Sequence, residues 1–123
     1  MRSFRELKVW QKSHSITLEL YKTTATFPKY ELFGLTSQLR RSSASIPTNI
    51  AEGCGRESGP DFARFLQIAL GSASEVEYQI LLSADLGYME PLMARQLEDR
   101  VIEVKRMLSS LMKKVRRDSA SES

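Results

Sequence analysis

The side chains best equipped for recognition chemistry fall into two groups, and neither has the composition of a catalytic centre. Arg41, Asn49, Glu52 and Arg56 are spaced by eight, three and four residues, so they can share one side of a helix, with Arg40 adjoining and Glu75 reaching in from a later segment. Such a set can form an ion-pair network at a buried or inter-subunit surface, fixing register rather than adding stability. Its alternative use is as a guanidinium cluster for phosphate. The second group is Lys105, Arg106, Lys113, Lys114, Arg116 and Arg117, in a stretch with no acidic residue. The formal net charge of +3 conceals this local density. A cluster of this kind attracts phosphate backbones or acidic protein surfaces, and it equally suits the negative end of a helix dipole.

Residues for bond-making chemistry are sparse. The chain has one histidine, His14, and Gln11 stands where the Glu of a Glu-x-x-His di-metal half-motif belongs. No nucleophile-elbow sequence accompanies the serines. The run Gly53-Cys54-Gly55-Arg56-Glu57-Ser58-Gly59 lacks the Gly-Lys-Ser/Thr ending of a phosphate loop and follows a helical pattern where a strand is required, so it reads as a helix terminator. The single Cys54 has no evident base, and one cysteine excludes an intramolecular disulfide. No catalytic residue, metal site or cofactor is expected, and the chain reads as a non-enzyme.

These groups are positioned by helices. Helix one is expected over residues 5–26, with Leu7, Trp10, His14, Thr17 and Tyr21 on one stripe and Val9, Ser13, Ile16, Leu20 and Phe27 on a second beside it. Phe27-Pro28 ends it. Helix two starts near Glu31 and carries Leu35, Leu39, Ser42, Ile46 and Ile50 at helical spacing, with Pro47 inside the pattern. Proline removes a donor and clashes with the carbonyl four residues back, at a cost of about 3 kcal/mol, so a kink is expected there with a partner for the loosened Ser43 carbonyl. Ser58 reads as the N-cap of helix three, Pro60 lies in its first turn, and Gly87 closes it. Its small residues Ala69, Gly71, Ser72, Ala73 and Ser74 mark a close helix approach. Helix four opens at Glu90-Pro91 and keeps a four-three seam through Leu97, Val101, Val104, Leu108, Leu111 and Val115.

The expected fold is therefore all-α, an up-down-up-down antiparallel four-helix bundle with a proline-kinked second helix, spanning residues 1–117 and followed by a flexible tail at 118–123. The N-terminal sequence lacks the apolar core of a signal peptide, and no run approaches the ~18 apolar residues of a membrane span, so a cytoplasmic, membrane-free protein is expected. Helices one and three carry wider apolar faces than one seam needs, which implies contact with further copies of the chain.

The segments SQLRRSSASIPTNIAEGCGR and DFARFLQIALGSASEVE, in this order and spacing, resemble the bacterial four-helix-bundle family encoded in intervening sequences of 23S rRNA genes, which includes the accessory protein of diversity-generating retroelements. The resemblance runs from Leu7 to about Leu86 and weakens over the last helix. It implies a homopentamer, a ring of five bundles, with nucleic acid and a reverse transcriptase as partners. The expectation taken forward is a non-enzymatic oligomeric scaffold whose basic surface meets RNA, DNA or a nucleoprotein. Its alternative is a structural or protein-interaction module with no nucleic-acid role.

Overall fold

The computed structural model describes residues 3–122, so Met1, Arg2 and Ser123, which belong to the expected bundle and tail, lie outside the described residues. Four helices form an antiparallel bundle: α1 (Lys8–Thr24), α2 (Leu35–Cys54), α3 (Gly59–Asp85) and α4 (Pro91–Glu122). α1 packs on α2 and α4, and α3 packs on the same two, while neither diagonal pair comes into backbone contact. The core is the set that helical spacing demands, with Ile16, Leu20, Leu39, Ile46, Ile50, Leu66, Ile80, Leu97 and Leu108 all fully buried.

The boundaries differ from the sequence expectations in four places. Leu7 is extended and separates α1 from a short 3-10 turn at Phe4–Glu6, whose Arg5 carbonyl accepts from Gln11 Nε2 at 2.8 Å. Phe4 thereby folds back, edge-on, against Trp10. A second 3-10 turn, Lys29–Glu31, precedes α2, which starts only at Leu35. The stretch 118–123, expected as a frayed tail, continues α4 as far as Glu122, with Ser119 packed where a side chain on Gly59 would otherwise stand.

The fourth difference concerns the glycines that end α2. They do not take the left-handed conformation; the one described glycine with positive φ is Gly87, at 79°, after α3. Gly53 is instead a packing residue. A Cβ there would lie 2.8 Å from Phe62 Cδ1 and 3.0 Å from Phe65 Cβ, so hydrogen alone admits the start of α3. Gly53→Ala should consequently destabilise the bundle by about 1–3 kcal/mol through overpacking, although helix propensity alone favours alanine by about 1 kcal/mol. Urea unfolding followed by circular dichroism checks the sign.

Ser58 caps α3 as expected, its hydroxyl accepting from Asp61 N at 3.2 Å. At the opposite end of the bundle Glu31 joins the two loops. One carboxylate oxygen accepts from Leu35 N at 3.2 Å and the other from Tyr88 Oη at 3.0 Å, with Tyr30 Oη 3.4 Å from that phenol. The hydrogen bond with Tyr30, then desolvation, then the Glu31 carboxylate raise the Tyr88 pKa well above the ordinary tyrosine value. Because the folded-state value is raised, this latch holds in full below the ordinary tyrosine pKa of about 10 and weakens as pH climbs past it.

Candidate nucleic-acid interface

The cationic residues sit on the longest helix. α4 turns its apolar seam, from Leu97 and Val101 through Val104, Leu108 and Met112, into the bundle. Arg106, Lys113 and Arg117, seven and four residues apart, then share a strip on the outer side, flanked by Lys114 and Arg116. All five are exposed, and none is in an ion pair among the described residues. Lys105 behaves differently. Its Nζ lies 2.9 Å from Glu77 Oε1, and both side chains are about one-third exposed, so this cation ties α4 to α3 and its charge is locally neutralised. Lys12 and Glu103, 3.1 Å apart, tie α1 to α4 in the same way. Beside the strip, α3 and α4 enclose a groove of about 670 Å³ where Ser74, Ser109 and Ser110 add hydroxyl donors next to Arg106.

The polar set expected to act together is dispersed over three places. Arg40 leans back over α1, donating from Nε to Thr24 Oγ1 at 2.8 Å and from Nη2 to the Tyr21 carbonyl at 3.2 Å. Glu52 and Arg56 form an exposed pair at 3.0 Å, one turn apart on α2. Asn49 donates to the Ser45 carbonyl at 2.8 Å, and Ser45 meets Ser72 of α3 at 2.8 Å. Arg41 and Glu75 line one polar hollow with Gln38, Ser42, Ser45 and Ser72, but they form no ion pair. Within one chain the set is therefore no single network. The four residues at that spacing share one side of α2 but are spread over about four turns, so each meets a different neighbour along the helix.

Two interactions that residue spacing could not show hold α2 in place. Ser42 donates its hydroxyl to Gln79 Oε1 across the buried α2–α3 contact. Thr17 Oγ1, on α1, donates to the Ser43 carbonyl at 2.9 Å. Ser43 is the acceptor that Pro47, with no N–H, cannot serve, and α2 runs unbroken through the proline. The same hydroxyl stands 3.1 Å from the Ser13 carbonyl in its own helix. Only the Ser43 carbonyl lacks a backbone donor by reason of proline, so Thr17 supplies what the sequence removed.

Over this junction α1 and α2 form an apolar groove of about 460 Å³, lined among others by Trp10, His14, Tyr21, Pro47 and Ala51. The His14 ring stacks on Trp10 at 4.9 Å between centroids and 14° between planes. The described residues contain no group of three or more His, Cys, Asp or Glu placed to hold a metal ion. No described helix is long and apolar enough to cross a membrane.

These features define a small all-α bundle with an uncompensated cationic strip on one helix. The model of the 23S rRNA-intervening sequence protein family matches residues 5–110, and the chain belongs to that family. Its fold is similar to the crystal structure of a protein with unknown function from the S23 ribosomal protein family of Bacteroides thetaiotaomicron, with a TM-score of 0.77 and 29% identity over 85% of this chain and 98% of that one. No curated protein matches the chain.

Proposed function

We propose that this protein is a non-enzymatic scaffold that assembles into a homopentameric ring and binds RNA or DNA backbones along α4. The observation that carries the reading is the outer strip of α4, where Arg106, Lys113, Lys114, Arg116 and Arg117 are exposed without an ion-pair partner among the described residues. Such a strip neutralises phosphates irrespective of base sequence. A reverse transcriptase acting on the bound strand would meet the same face.

Assembly is supported by two unlike apolar surfaces on opposite corners of the bundle. One is the α1–α2 groove. The other is the outer line of α3, where Tyr78 is 59% exposed, Ile68 and Leu81 flank it, and Gly71 has open space around it. Different patches on opposite sides of a subunit pair head to tail, and such contacts close into rings when the rotation allows. A ring built this way places every α4 on the same side of its wall. Five cationic strips then act together, and effective concentration turns weak attraction into useful binding.

Native mass spectrometry at low micromolar concentration should give a multiple of five chains for the wild type, and Tyr78→Glu should abolish that multiple while leaving helix content intact. A wild-type mass of one chain overturns the ring. Filter binding at low salt tests the second half, and wild-type protein that retains neither RNA nor DNA there leaves a protein-interaction module as the function.

A further inference from the structure

The loop end of the bundle, remote from the α4 C-terminus, exposes large apolar side chains on a rigid frame. Phe33 is 93% exposed, Tyr30 80% and Leu92 64%, and Leu32 and Leu86, on the same two loops, are half exposed. This is not the exposure of an unanchored loop. Glu31 bonds to Leu35 N, bracketing Phe33 within its own loop, and to Tyr88 Oη across the loops, and the Tyr88 ring lies 5.6 Å from the buried Phe27 ring, so the α1–α2 and α3–α4 loops are tied together just before Phe33. Large apolar side chains held outward together on two linked loops mark a surface that is covered in use.

The charges around the patch say what covers it. Lys29 is exposed on the α1–α2 loop, whereas Asp85 and Glu90 are exposed at the α3–α4 loop, and none of the three enters an ion pair among the described residues. Lys22, in the last turn of α1, is exposed here as well, so two lysines stand against two carboxylates and this end lacks the cationic excess that a nucleic acid requires. Opposite signs on the two loops of one patch are the arrangement a two-fold axis satisfies, since rotation sets the α1–α2 loop of one copy over the α3–α4 loop of the other. We propose that this end is an isologous interface with a second copy of the chain, in which Phe33 of each copy packs on Leu86 and Leu92 of the other and Lys29 meets Glu90 twice.

The proposal is independent of nucleic-acid binding and of the ring. Where a ring also forms, the two-fold joins two rings loop end to loop end, with the basic ends of α4 facing away from the junction.

Native mass spectrometry of the full chain separates the two assemblies. End pairing predicts ten chains for the wild type, five for Phe33→Asp, two for Tyr78→Glu and one for the double variant. Lys29→Glu and Glu90→Lys should each weaken the pairing, and the two together should restore it, a reciprocity that requires both residues to face each other across copies. A wild-type mass of five chains that Phe33→Asp leaves unchanged overturns end pairing while sustaining the ring. A wild-type mass of two chains that Phe33→Asp reduces to one sustains end pairing while overturning the ring. Failure of the charge-swapped double variant to regain the wild-type mass overturns the two-fold register.

Discussion

Replacing Lys113, Lys114, Arg116 and Arg117 by glutamine should reduce affinity for RNA and DNA alike while leaving helix content and oligomer mass unchanged. The four side chains are exposed and none is in an ion pair among the described residues, so their loss removes charge from solvent without leaving a buried partner behind. Each cation that neutralises a duplex phosphate contributes a slope of about −0.9 to the plot of log affinity against log salt. The variant should therefore lose about three to four units of slope if all four residues touch phosphate, and its binding should be weaker by an order of magnitude or more at low salt. Lys105→Gln should act differently. Its cation faces Glu77 at 2.9 Å, so this change should cost stability through the α3–α4 contact and alter the salt slope little. Filter-binding titrations at several salt concentrations read both quantities, and a fourfold variant with wild-type affinity and slope would remove α4 from the binding surface.

Pro47→Ala and Thr17→Val should prove coupled, with the largest single effect on α2. Thr17→Val keeps the shape of the side chain and deletes the hydroxyl that serves the Ser43 carbonyl. A buried acceptor left without a donor costs about 1–3 kcal/mol. With alanine at position 47 the backbone regains the missing N–H, so the same Thr17→Val change should cost less, and the coupling measured by the double-mutant cycle should be about 1 kcal/mol or more. Pro47→Ala alone tests the proline's purpose. Helix propensity predicts a gain of up to about 3 kcal/mol, whereas Pro47 is buried, lines the α1–α2 groove and shapes the surface proposed to receive a neighbouring copy. Loss of the ring without a rise in melting temperature is the expected outcome. A variant that melts higher and retains the wild-type mass would show that the proline is tolerated rather than required. Urea unfolding and native mass spectrometry supply the two readings.

Helical spacing, proline and the caps determined most of the fold by themselves. Val9, Ser13, Ile16 and Leu20, then Leu35, Leu39, Ser42, Ile46 and Ile50, and later Leu97, Val101, Val104 and Leu108 recur at three- and four-residue intervals, and a helix that carries such a stripe has one way to remove it from water. Ser58 and Pro60 set the start of α3, Pro91 opens α4, and the local density of lysine and arginine on α4 was legible for the same reason, since charge and period are properties of the chain. The tertiary structure decided which residues meet. Spacing placed Arg41, Asn49, Glu52 and Arg56 along one side of α2, but they are spread over about four turns and each takes the partner at its own height, leaving Arg56 with Glu52 and Asn49 with Ser45, while Arg40 turns to α1. Lys105 became a strut because α3 brings Glu77 to it, whereas Arg106, the next residue, faces outward. Thr17 became the donor for Ser43, and Gly53 a seat for Phe62, because those partners lie on other helices, 26 residues away in the first case. A helical period fixes the direction of each side chain about its own axis. Its neighbour across the contact is fixed only when the helices dock, because docking sets their relative rotation and height.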